Sequence, residues 1–176
     1  MSTFRNDPLL GIAKALLTVT MVMFVIAIVA LGIGAVVMIA VKSSIIAKLA
    51  ENGAPAEAFW AILLLLPLVA ALLMLCYRFV ESLRAIVRTV EQGDPFIPAN
   101  ARRLRAMAWL ALAIQLASLP IAAVAMWIEN LTEKVGDMDV TADISANGLL
   151  LVLVLFILAR VFKTGSQMRE DLEGTV

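Results

Sequence analysis

Three sets of polar residues stand out in an otherwise apolar chain, and each has a spacing that suggests a definite chemistry. Arg102, Arg103 and Arg105 fall almost side by side. Guanidinium groups clustered in this way suit carboxylate or phosphate, because each planar fork can donate two parallel N–H bonds. Gln115 and Ser118 stand about one helical turn apart, just before Pro120. An amide and a hydroxyl so placed suit a hydrogen bond between membrane helices first, and a substrate contact second. Asp137, Asp139 and Asp143 share part of the spacing of a calcium loop, but the central glycine and closing glutamate of such a loop are missing. They are not read as a metal site.

Other chemistries are excluded by residue type. There is no histidine, which removes His-ligated haem, His-based zinc, a His general base and the Ser-His-Asp triad. The single cysteine, Cys76, cannot close an internal disulfide and lies within an apolar run, where its expected role is packing. Carboxylates, thiols and imidazoles do not cluster at usable spacing, so we expect no enzyme and no cofactor.

The elements that must position these residues follow from hydropathy. Of 176 residues, 62% are hydrophobic and 16% charged, and the mean hydropathy is +0.99. Soluble domains lie nearer half apolar and a quarter charged. The composition excludes a disordered chain, a disulfide-rich secreted module and an ordinary cytosolic enzyme. A hydrocarbon core of roughly 30 Å needs about 20 helical residues. Uncharged runs cover residues 15–41, 58–77, 106–128 and 144–159, and the last extends to Phe162 if Arg160 snorkels. The runs are continuously apolar, so a β-barrel is excluded. The first run is too long for a cleaved signal peptide and is read as a retained span. The expected fold is therefore all-α: one polytopic domain, four transmembrane helices in a bundle, spanning about 15–41, 58–77, 106–128 and 144–162. Asp7 and Pro8 suit the start of a short lead-in helix carrying Leu9, Ile12 and Leu16 on one face.

Orientation follows from the Lys and Arg outside the spans. Eleven fall on the side of the two ends and the 78–105 segment, against three on the other. Positive residues are retained on the cytoplasmic side, so both termini and that segment are expected there. The chain thus becomes an N-in/C-in protein of the inner membrane.

The cytoplasmic segment 78–105 reads as a helical hairpin. Val80, Leu83, Val87 and Val90 recur at helical spacing beyond Tyr77, so the second helix should run about four turns past the membrane. Gly93 is its expected C-cap, and Asp94-Pro95 breaks it. A new helix starts near Pro98, with Asn100 as its cap. The arginines then lie in the first turns, against the helix dipole, which suggests that they answer a charge elsewhere. The tail, 163–176, supplies acidic residues including Glu170, Asp171 and Glu173, and Gly165 is expected to end or loosen the fourth helix. Beyond the third span, Met138, Val140 and Ile144 alternate with polar residues as in a short strand or lid. Asp143 or Ser145 is expected to cap the fourth helix. The spans hold no charge, unlike most transporters and proton relays. Pro67 and Pro120 each remove a backbone hydrogen bond and are expected mainly to tune packing.

Two stretches carry a family resemblance. Residues 93–105, with Gly93, Pro95, Phe96, Asn100, Arg103, Leu104 and Arg105, fit G-x-P-F-x-x-x-N-x-x-R-L-R. Residues 162–176, with Phe162, Gly165, Glu170, Asp171, Thr175 and Val176, fit F-x-x-G-x-x-L-x-E-D-x-x-x-T-V, except that Met168 replaces the leucine. With four spans, the chain resembles the bacterial family called domain of unknown function 2975. That family has no established activity. Its members are often encoded beside small helix-turn-helix regulators, so the resemblance implies a membrane partner for such a regulator. The expectation is a non-enzymatic interaction or regulatory protein surrounded by membrane lipids, able to form homo-oligomers and not binding nucleic acid directly. Its docking frame would be Gly93, Pro95, Phe96, Asn100, Arg102, Arg103, Arg105, Gly165, Glu170 and Asp171. The alternative is a transporter subunit or a lipid- or small-molecule-binding protein using Gln115 and Ser118.

Overall fold

The computed structural model describes residues 8–131 and 145–173. Five helices make up the described chain: α1 (Pro8–Ala40), α2 (Lys42–Glu51), α3 (Glu57–Glu91), α4 (Pro98–Leu131) and α5 (Ala146–Glu173). Among the described residues there is no strand, and α1, α3, α4 and α5 are each long and apolar enough to cross a membrane. The acidic stretch 137–143 and its strand-or-lid reading lie outside the described residues, as do Asp7 and Asp143.

The helices pack in series. α1 lies on α3, α3 on α4, and α4 on α5. Beyond Lys14, α1 carries no charge on any face, yet none of its residues from Leu9 onward is fully buried by the rest of the chain. A helix apolar all round, and only partly covered by protein, needs an apolar solvent on its open faces. Lipid supplies it.

Length shows where the bundle leaves that solvent. α3 has 35 residues and α4 has 34. At 1.5 Å per residue each is about 50 Å long, roughly 20 Å more than a hydrocarbon core. The excess lies at one end. The C-terminal part of α3 carries Arg78, Arg84, Arg88 and Glu91, the first turns of α4 carry the arginine cluster, and the last turns of α5 are charged. Lys14 Nζ reaches Glu91 Oε2 at 3.0 Å, so the start of α1 lies at this end too. We call it the turn end. As the helical stripe predicted, α3 runs on to Glu91. α5 also runs unbroken through Gly165, which neither ends nor loosens it.

A short helix not expected from hydropathy, α2, intervenes between the first two spans. It follows α1 after a break at Val41 and ends in a Schellman cap. Gly53 has φ of 76°, its N–H donates to the Ala50 carbonyl, and the Ala54 N–H donates to the Leu49 carbonyl. Near the start of α3, Ala58, Phe59 and Ala61 are buried, and Lys42 Nζ sits 4.4 Å from the Trp60 ring centroid.

The main core joins three helices. Ile86 of α3, Leu104, Met107, Ala108 and Ala111 of α4, and Val152, Leu155 and Ala159 of α5 form one buried cluster. Small residues at Ala108, Ala111 and Ala159 let the helices approach closely, which matters where lipid supplies no hydrophobic drive.

Candidate functional site

The turn between α3 and α4 is built by its backbone. Gly93 takes φ of 82°, a left-handed conformation that costs glycine little. Its N–H donates to the Val90 carbonyl, and the Asp94 N–H donates to the Thr89 carbonyl, completing a Schellman cap. Pro95 cannot continue the helix. Pro98 opens α4, where its missing N–H costs nothing because that donor has no intrahelical partner anyway.

Asn100 is not a cap. It lies inside the first turn of α4, 0% exposed, and ties three segments together. Its Nδ2 donates to Thr89 Oγ1 at 2.6 Å and to the Pro95 carbonyl at 2.8 Å. Its Oδ1 accepts from Arg103 Nη1 at 2.8 Å. Arg103 also reaches the Ala85 carbonyl at 3.5 Å. The Thr89 hydroxyl in turn donates to the Ile86 carbonyl at 2.7 Å. A buried polar group is tolerable only when it is satisfied. Here the satisfied amide fixes the α3–α4 register, and Arg103 belongs to that knot.

α5 closes over the turn. The Phe96 ring lies 5.1 Å from that of Phe162, tilted by 34°. A Cβ on Gly165 would fall 2.9 Å from Phe96 Cδ1, so this glycine makes room for the ring. The Asp94 carboxylate accepts from the Arg169 guanidinium. An acidic tail facing a basic loop predicts ion pairs that are acidic on the tail; the Arg169–Asp94 pair has the opposite polarity, basic on the tail and acidic in the turn.

With Arg103 and Arg169 so engaged, a different set of cations faces outward. Arg102 and Arg105 of α4 and Arg160 and Lys163 of α5 are exposed and line an open groove of ≈ 660 Å³ between the two helices. Among the described residues, their side chains make no ion pair and no hydrogen bond. Glu170 lines the groove on its water-facing side, and Phe156 and Ala159 line it toward the apolar runs. From sequence, Arg160 reads only as the snorkelling end of a span and Lys163 only as the start of the tail. The antiparallel register that sets them opposite Arg102 and Arg105 was the missing information.

Gln115 and Ser118 lie well away from this groove. Gln115 Nε2 donates to the Ser145 carbonyl at 3.2 Å, just before α5 begins. Its side chain crosses Gly148, where a Cβ would fall 1.3 Å from Nε2. The Ser118 hydroxyl donates to the Gln115 carbonyl at 2.7 Å. Gln115 thus ties α4 to the residue before α5, while Ser118 bonds back within its own helix. Pro67 and Pro120 are both exposed on their helices.

The chemistry present is that of a groove lined mainly by cations, carried by an all-helical protein with four helices long and apolar enough to cross a membrane. Among the described residues, no group of His, Cys, Asp and Glu is placed to hold a metal ion. Residues 45–176 match the family described as "Protein of unknown function (DUF2975)", and the chain belongs to it. The match takes in α3, α4, α5 and both motif stretches, while α1 precedes it. Comparison with curated proteins and with solved structures gives no match.

Proposed function

We propose that this chain is a non-enzymatic interaction protein of the bacterial inner membrane, with both termini and the 78–105 hairpin in the cytoplasm. The turn end is its working face, and it docks an acidic element of a cytoplasmic protein, a helix-turn-helix regulator being the partner that the family's gene neighbours suggest. One observation carries this reading: α3, α4 and α5 are locked together by Asn100, Phe96 and Gly165, and the lock leaves Arg102 and its neighbours facing outward. A surface held rigid before binding loses less entropy on docking.

The excess of Lys and Arg on this side supports the orientation. The position of Arg102, beside Glu170 at the water-facing part of the groove, suits a soluble partner. The test is recovery of the regulator encoded beside this gene from detergent-solubilised membranes. Arg102→Glu should lose the regulator while Arg78→Glu keeps it. Equal recovery with both variants would count against docking at this face.

A further inference from the structure

The membrane-proximal part of the groove has a character of its own. The apolar run of α4 begins at residue 106, one position after Arg105, and that of α5 ends at residue 159, one position before Arg160. The antiparallel packing sets those two boundaries level, because Trp109 of α4 meets Phe156 of α5 edge-on at 5.6 Å. Arg105, Arg160 and Lys163 therefore ring one concavity at the depth where hydrocarbon gives way to headgroups. Below them lie the exposed Trp109, whose amphipathic indole suits that boundary, and the apolar Phe156 ring packed edge-on against it.

Simple retention of positive charge does not require this convergence. The arginines of α3 show the contrast: Arg78 pairs with Glu81 at 3.3 Å, Arg84 reaches toward Met21, and neither lines the groove. Three cations gathered around one hollow repel one another, and the apolar wall weakens the screening by water. An anion between them removes the repulsion, and guanidinium forks match phosphate oxygens.

We infer that Arg105, Arg160 and Lys163 hold the phosphate of an anionic phospholipid, whose acyl chains run down against Phe156 and Trp109. The acyl chains distinguish this ligand from free phosphate, because a soluble anion would leave the apolar wall unused. Basic pockets between membrane helices recognise such headgroups. The inference uses the proposed orientation only to assign the inner leaflet; the site itself does not depend on regulator docking.

The test is native mass spectrometry of the full chain released from vesicles of equal parts phosphatidylglycerol and phosphatidylethanolamine. The wild type should retain phosphatidylglycerol in preference. The triple variant Arg105→Gln, Arg160→Gln, Lys163→Gln should lose that preference by roughly tenfold or more, since each basic residue near a membrane surface contributes measurably to anionic-lipid attraction. The matched control, Arg78→Gln, Arg84→Gln, Arg88→Gln, should keep it. An unchanged thermal transition in the triple variant separates lost binding from lost folding, and Arg105→Gln alone should give a graded loss. Equal retention by the two triple variants would overturn the inference. So would displacement of the lipid by equimolar glycerol 3-phosphate, which would mark the site as one for soluble phosphates. Arg102→Glu, which tests regulator docking, leaves these three cations in place, so the two ideas can fail separately.

Discussion

The turn end of the bundle and its lipid-facing body are made of the same helices but held by different forces. At the turn end, a buried amide meets three partners, an aromatic ring sits over a glycine, and an ion pair joins α5 to the turn. In the body, α1 packs on α3 without any residue from Leu9 onward becoming fully buried, and among the described residues the apolar spans offer a single polar link between α4 and the start of α5, from Gln115 to Ser145. Water explains the difference. Where the helices leave lipid, apolar side chains gain by burial, and polar groups must be paired or solvated. Inside lipid the hydrophobic drive is absent, and packing of small residues carries the association. Specific structure therefore concentrates at the end that faces water, where a partner would meet it.

Removing the knot should break this contrast most strongly. Asn100→Ala leaves the Arg103 guanidinium and the Thr89 and Pro95 oxygens without their buried partner, and should cost about 2–3 kcal/mol. Thermal denaturation in detergent, followed by helix signal or aggregation, reads it. Loss of less than half that amount would mean that the α3–α4 register is set elsewhere.

Adding one methyl group at each end of α5 sharpens the comparison. Gly165→Ala should destabilise by about 1 kcal/mol, since displacing Phe96 costs more than the helix gains from alanine. In a Phe96→Ala background the same change should turn stabilising, because only the gain is left. Gly148→Ala meets the flexible end of Gln115 instead. Its amide can swing aside, so the net effect should be within about 0.5 kcal/mol, the lost hydrogen bond offsetting the helix gain. If both glycines responded alike, the close fit of Phe96 on Gly165 would not be a special feature of the turn end.

The smallest effect belongs to the ion pair. Asp94 and Arg169 are both substantially exposed, so Asp94→Ala should cost under about 1 kcal/mol and lose its effect in high salt. A double-mutant cycle with Arg169→Ala measures the coupling.

Much of this architecture was legible from the chain alone. Hydropathy located the four long helices, and the Val80–Leu83–Val87–Val90 stripe foretold how far α3 projects. Gly93-Asp94-Pro95 announced the cap because local backbone chemistry decides it. What stayed hidden depends on register and rotation between helices. Arg102 and Arg103 are adjacent in sequence, yet about 100° apart around a helix axis. One faces the groove and the other faces Asn100, and only the packing of α3 decides which. Gly165 looked like a helix breaker because the Phe96 ring that needs its space lies far away in sequence. α2 escaped notice because ten residues make a marginal helix without tertiary support.

The central claim is that the built end, with its outward-facing cations, lies in the cytoplasm. Gln92 is exposed at the C-cap of α3 and can carry a probe without disturbing Gly93. With Cys76→Ala as background, Gln92→Cys should react with a membrane-impermeant maleimide in inverted inner-membrane vesicles and stay unlabelled in intact spheroplasts. Labelling in spheroplasts at the rate of an external control cysteine would contradict the account.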